Sequence, residues 1–339
     1  MHIIPQLDLS GQTEDWQSEF NHLITSGQQL LEAVGLGCDT ALLEQAAQAE
    51  KLFPVRAPWP LVRKIKPGDA NDPILKQLLA SGPELLDVAG YVADPLEETA
   101  ATQTPGLIHK YHGRVLLTFA SQCVTNCRYC FRRHFDYESN RLNQQKLRQI
   151  SEYLASDTSI KEIILSGGDP LSVGNGQFQR FFDALEKIEH IDKVRIHTRV
   201  PAVIPARIDK EFVNILAKSK HKIVVVVHVN HAQELDEHFD FAMQQLRQQG
   251  VTLLNQSVLL KGVNDSADAL INLSERLFTA GVLPYYLHLL DQVSGAAHFY
   301  VSQKLATNLH KQMQSKLPGY LVPRLVREIA QEKSKTWIL

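Results

Sequence analysis

Six short runs rich in β-branched and apolar residues punctuate the chain: RVLLTFA (114–120), KEIILSG (161–167), KVRIHTR (193–199), KIVVVVHV (222–229), VTLLNQSVLL (251–260) and LPYYLHLL (283–290). Nearly continuous apolar runs of this length are what parallel strands look like when both faces are covered. Stretches of helical period separate them, at 143–155, 177–190, 209–219, 236–250 and 268–281. In the second, Phe178, Phe181, Phe182 and Leu185 recur at three- and four-residue steps and fall on one face. Two stretches close on Gly250 and Gly281, residues suited to the left-handed turn that ends a helix. From the second run on, strands recur about every thirty residues, the length of a β/α unit. Six units are two short of a closed eightfold barrel. The pattern therefore predicts an α/β fold built on a partial, open (β/α)6 barrel over residues 101–295. Residues 1–100 are read as an N-terminal helical region capping the barrel, and 296–339 as a C-terminal segment.

Composition narrows the function classes. Of 339 residues, 44% are hydrophobic and 21% charged, and the formal net charge of −2 argues against a broad nucleic-acid surface or an anionic membrane partner. No stretch approaches the ~18 uninterrupted apolar residues of a membrane span. The opening MHIIPQLDLSGQTEDW lacks a basic region followed by an apolar run, so the cytoplasm is the expected compartment.

The cysteines then change the picture. Three of the four lie in CVTNCRYC (123–130), and the fourth, Cys38, is far away. A reducing compartment disfavours disulfides, and an odd local set cannot pair off internally, so the cluster asks for a metal. Two readings are open. His134, four residues after Cys130, would complete a Cys3His zinc site in a non-catalytic scaffold. Alternatively, Cys-x3-Cys-x2-Cys with Tyr129 before the last cysteine fits a [4Fe–4S] cluster with one iron left open, the signature of radical S-adenosylmethionine (SAM) enzymes.

A barrel should gather its chemistry at the C-terminal ends of its strands. The first run leads into the cysteine loop, and the second ends in SGGDP (166–170), whose glycines would let a ligand approach the backbone. His197 and Arg199 end the third, HVNH (228–231) the fourth; Asn255 and Gln256 lie in the fifth, and Asp291 follows the sixth. Taken singly, a Gly–Gly–Asp–Pro turn or a strand-end histidine is ordinary structure; their convergence on one rim is not.

With these residues in place the chain resembles the lysine 2,3-aminomutase family of radical SAM enzymes, most of all its short bacterial members acting in β-lysylation of elongation factor P. The resemblance is carried by FPVRAP (53–58), CRYCFRRHF (127–135), ILSGGDPL (164–171), RIHTRVPAVIPARI (195–208), NQSVLLKGVND (255–265), PYYLHLLD (284–291), GYLVP (319–323) and SKT (334–336). It implies that Cys123, Cys127 and Cys130 hold the cluster, whose open iron takes SAM, with Ser166, Gly167, Gly168, Asp169, His228 and Gln256 about the cofactor. It implies pyridoxal 5′-phosphate as a second cofactor, on Lys335 as Schiff-base lysine, with Lys110, Tyr111 and Arg114 near the phosphate. Lys333 is a nearby alternative, because AQEKS (330–334) stands where the family carries glycines.

By the same resemblance Arg132 pairs with the substrate carboxylate, while Asp291 and Glu328 hold the side-chain ammonium of L-lysine. The implied product is β-lysine and the class isomerase. The longer members have Asp where this chain has Glu328, whose bland alternative is a solvated helix residue in RLVREIAQEK. The implied partners are an electron donor such as flavodoxin or ferredoxin, and functionally elongation factor P and its lysine ligase; a homo-oligomer is compatible with the pattern. Within the family, action on glutamate or another amino acid is the competing reading, and glutamate would place a cation rather than Asp291 at the end of the pocket.

Overall fold

A computed structural model describes residues 15–98, 102–137 and 142–338. Its ten strands form one sheet in sequential order: β1 (Thr102–Thr104), β2 (Leu107–Tyr111), β3 (Arg114–Ala120), β4 (Glu162–Gly167), β5 (Lys193–Thr198), β6 (Lys222–His228), β7 (Thr252–Val258), β8 (Leu283–His288), β9 (Arg324–Arg327) and β10 (Thr336–Trp337). Strands β3 to β9 run parallel, and the six predicted runs are β3 to β8. The order does not close on itself, so the barrel is open, as its six-unit pattern requires.

Each crossover holds a helix in the interval where the period predicts one. Side chains of Asn143, Asp209, Asp236 and Ser266 cap four of these helices by accepting from backbone N–H groups in the first turn. The aromatic face of helix Asn175–Leu185 packs on the sheet, with Phe178 and Phe181 centroids 4.8 and 5.3 Å from that of Phe119 on β3. All four predicted core residues of this helix are buried.

Three pieces go beyond the sequence reading. An antiparallel hairpin, β1–β2, extends the sheet before β3. After helix Gln303–Lys316, β9 adds in parallel to β8 and β10 folds back on β9. The RLVREIAQEK segment is therefore a strand and turn, not a helix: Leu325 and Val326 are buried, and the free edge of β8 supplies their backbone partners. Glu328 follows directly on that strand.

The N-terminal region grips the cysteine loop. Arg128, fully buried between two of the cysteines in sequence, donates Nε to Glu84 Oε1 at 2.9 Å and Nη1 to the Phe53 carbonyl at 2.8 Å. Its backbone N–H reaches the Gln77 carbonyl at 3.0 Å, and the N–H of Asn126 reaches that of Arg56 at 3.0 Å. A buried bidentate arginine–carboxylate pair is costly to half-break, about 3–5 kcal/mol. The N-terminal region thus fixes the loop.

Candidate active site

One cavity of about 400 Å3 opens where the strands end, and the three cysteines line it together with Ser166, Gly167, Gly168 and Asp169 after β4. The ends of β5 to β8 bring His197, Arg199, His228, Gln256, His288 and Asp291 to the same wall. Lys335, Glu328, Arg132, Tyr111 and Arg114 complete it. Lys110 does not line the cavity; its ammonium sits behind, 2.9 Å from the Leu96 carbonyl and 3.7 Å from Glu328.

Burial pushes the thiols of Cys123 and Cys130 up, and neighbouring thiols add to it, taking Cys130 to about 11. Thiolates crowded in a dry site call for a strong cationic partner, which a metal centre supplies. His134 is not among the donors: it is exposed, with Nε2 3.2 Å from the Ser294 carbonyl and away from the cavity. Among the described residues no three His, Cys, Asp or Glu side chains gather closely enough to hold a single ion. A cluster places one thiolate on each of three irons, so its ligands stand apart. The donor set fits the cluster and not the Cys3His zinc site.

The glycines of SGGDP line the cavity and also have a packing reason. A Cβ on Gly168 would stand 2.3 Å from the Gln122 carbonyl oxygen, and one on Gly167, at φ +107°, 2.8 Å from the Ala120 carbonyl oxygen. They let the β4 loop lie against the start of the cysteine loop, backbone to backbone. Gly168→Ala is expected to destabilise the fold by about 1–3 kcal/mol through overpacking. A lowered urea midpoint with unchanged slope would register it; an unmoved midpoint would mean that the loop yields freely.

Asp169 turns its carboxylate into the protein. It accepts from Thr198 Oγ1 at 2.6 Å and from the N–H groups of Arg199, Leu171 and Val200 at 2.6, 3.0 and 3.2 Å. Its work is to staple the loop after β4 to the turn after β5. His228 and Gln256 meet through Nε2 atoms 2.9 Å apart, and burial, aided by Arg199 and Arg132, pushes His228 down to about 3. A neutral imidazole paired with an amide keeps two donors and an acceptor free for a ligand. Two more ring nitrogens on this wall, Nε2 of His197 and of His288, are buried without a hydrogen-bond partner among the described residues. Such atoms suit a bound group with a polar edge.

Arg132 is already paired. Its Nε and Nη2 hold the two oxygens of Glu98 at 2.6 and 2.7 Å, and Nη1 donates to Ser166 Oγ at 2.9 Å. The fork geometry read for a substrate carboxylate is thus taken by Glu98, which leaves the Nη1 side facing the cavity.

At the far end Lys335 donates to Glu328, and Glu328 also accepts from the Tyr111 hydroxyl at 3.1 Å. Burial works against the Glu328 carboxylate, but Lys335 and then Lys110 hold it ionised, at about 2. Asp291 goes the other way: burial first, then the charge of Glu328, pushes it up to about 7. The Arg114 guanidinium lies over the Tyr111 ring, 4.7 Å from its centroid.

Glu98, Arg195, His288 and Tyr286 on this wall were not singled out in the sequence. His288 could have been, since it ends β8 as His197 and His228 near the ends of β5 and β6 do. Glu98 gives no such signal; its partner lies 34 residues away.

An open β/α barrel with a three-cysteine loop at its strand ends is the architecture of a radical SAM enzyme, and residues 117–273 match the Radical SAM superfamily. The L-lysine 2,3-aminomutase of Haemophilus influenzae is 45% identical, covering 99% of this chain and 99% of its own. Those of Escherichia coli and Buchnera aphidicola are 46% and 43% identical, over 95% and 96% of this chain and 94% and 95% of theirs. The chain belongs to the L-lysine 2,3-aminomutase family: it is an isomerase of the radical SAM class, working with a [4Fe–4S] cluster and SAM.

Proposed function

We propose that this protein converts L-lysine to β-lysine by moving the α-amino group to the neighbouring carbon, with pyridoxal phosphate on Lys335 and the cluster on Cys123, Cys127 and Cys130. The supporting observation is that Lys335, the two acids Asp291 and Glu328, and all three cysteines line a single cavity. SAM at the cluster supplies the radical that removes hydrogen, and pyridoxal phosphate supplies the π-system across which nitrogen can migrate. The chain's own residues do the rest. Asp291 and Glu328 hold the side-chain ammonium, Arg132 takes the carboxylate through its remaining N–H face, and Tyr111 and Arg114, backed by Lys110, receive the phosphate. Gly168, Ser166, His228 and Gln256 border SAM. Keeping the substrate within this lining would keep a reactive radical from other C–H bonds.

Two acids at one end of the pocket favour lysine over glutamate, whose side-chain carboxylate would face them with like charge. We place the reaction in the cytoplasm, fed by a flavodoxin- or ferredoxin-type donor, its β-lysine passing to elongation factor P through a lysine ligase.

Product chromatography of an anaerobic assay with reductant, SAM and pyridoxal phosphate is the direct test. Removing the Asp291 charge leaves a desolvated ammonium short of a partner, which costs about 3–5 kcal/mol, or two to four decades in rate or binding. Asp291→Asn is therefore expected to cripple lysine turnover by that much and to spare cluster assembly. The pH profile adds a sign. Only the ionised carboxylate attracts the ammonium, and Asp291 sits near 7. Lysine binding should weaken about tenfold per unit as pH falls below that value and be flat just above it, and Asp291→Asn should lose this limb. Near-equal lysine rates for variant and wild type, or a wild-type preference for glutamate, would sink the reading.

A further inference from the structure

Arg199 lies just beyond β5 with its side chain almost wholly inside the protein, 5% exposed. One end of its guanidinium, Nη1, donates to the Cys127 sulfur at 2.8 Å and to the Tyr129 hydroxyl. The other, Nη2, donates to Gln77 Oε1 at 2.9 Å and Glu234 Oε2 at 3.1 Å. Both partners are fully buried and are themselves fixed. Gln77 Nε2 reaches Glu234 Oε1 at 3.1 Å, which also accepts the N–H groups of Asn230 and His231 at 3.0 Å each. Asn230 Nδ2 donates to Gln77 Oε1 at 3.0 Å. The guanidinium cannot swing away.

We infer that Arg199 is a positioning residue that sets the reduction potential of the cluster through Cys127, with Glu234 as the counter-charge that limits its effect. The inference rests on the assignment of Cys127 as a cluster ligand. Net charge and hydrogen bonds to the cysteine sulfurs are among the levers that set iron–sulfur potentials. Reduction adds one negative charge to the cluster, so a cation bonded to its ligand favours the reduced state and raises the potential. Glu234 lies on the far side of the same guanidinium, and its negative charge pulls the other way. Buried arginines can also serve packing alone; Arg207, also fully buried, donates to the carbonyls of Leu171 and Val173 and touches no cysteine. What separates Arg199 is its cationic contact to a sulfur.

The two roles differ in sign. A packing role predicts that loosening the network from either end disturbs the cluster alike. An electrostatic role predicts opposite shifts: Arg199→Gln lowers the potential and Glu234→Gln raises it. The experiment is an EPR-monitored redox titration of the anaerobically reconstituted full-length protein, without SAM. At the wild-type midpoint, Arg199→Gln should cut the reduced-to-oxidised ratio about tenfold, which is about 59 mV for one electron. Arg199→Lys keeps the charge and should recover most of that loss, while Glu234→Gln should increase the ratio. An unshifted midpoint in Arg199→Gln, or shifts of the same sign in Arg199→Gln and Glu234→Gln, overturns the inference. If Arg199→Gln does not assemble the cluster, the others decide: Glu234→Gln at the wild-type midpoint sinks it, and a raised one supports it. Wild-type protein that takes up no iron and sulfide would instead overturn the cysteine assignment, and this inference with it.

Discussion

Replacing Lys335 with Ala is expected to abolish conversion of lysine to β-lysine while leaving the iron–sulfur site assembled and able to cleave SAM. Two separate losses combine in this variant. The amine that would anchor pyridoxal phosphate is gone, and Glu328 loses the cation that donates to it. Glu328 then rests on Lys110, 3.7 Å away, and on the Tyr111 hydroxyl, so its carboxyl rises from about 2. Lys335→Arg separates the two effects. A guanidinium keeps a charge for Glu328 but forms no imine, so activity should stay absent although the local charge balance is restored. Borohydride reduction of the pyridoxal-phosphate-loaded wild type should leave the phosphopyridoxyl label on the peptide of Lys335. Lys333 is exposed and lies outside the cavity, whereas Lys335 lines it. A label on Lys333, or on a lysine inside the barrel, would falsify the assignment.

How much of this could be read from residues alone depends on the range of the interaction. Strands β3 to β8 were legible because each is a short run dominated by apolar and β-branched residues, and their helices because one apolar face repeats at helical period. The β1–β2 hairpin is short and largely polar, so it carries neither signature. For β9, four residues long, helix and strand look alike in sequence; the free edge of β8 decides between them, and that is a tertiary fact. The site divides the same way. Cysteines and strand-end residues are placed by local spacing and topology, so the cavity lining from Cys123 to Asp291 could be anticipated. The pairs that lock it could not: Arg132 with Glu98, or Arg199 with Gln77 across 122 residues, leave no pattern along the chain. Asp169 and Gly168 carry a second duty that the sequence did not show. Both line the cavity, and the carboxylate of one and the missing side chain of the other also serve the protein's own backbone.

The cysteine loop carries the last of the large effects. With the cluster on the three cysteines as proposed, Cys127→Ala would remove one of three thiolates, and a cluster held at three corners cannot keep its geometry on two. Iron and sulfide content should fall sharply, and deoxyadenosine production from SAM should be lost. The same is expected at Cys123 and Cys130, which line the same cavity. Thiol-to-methyl replacement at a half-buried position is a small change in packing, so the urea midpoint of the apoprotein should move little. That control distinguishes a missing ligand from a broken fold. Cys38 is exposed and belongs to the N-terminal region, far along the chain from the loop. Cys38→Ala should retain full SAM cleavage. His134→Ala completes the set, because its ring faces the Ser294 carbonyl and not the sulfurs; it should keep both the metal and the activity. Loss of metal in His134→Ala would restore the Cys3His site, and full deoxyadenosine production by Cys127→Ala would remove this loop from the chemistry altogether.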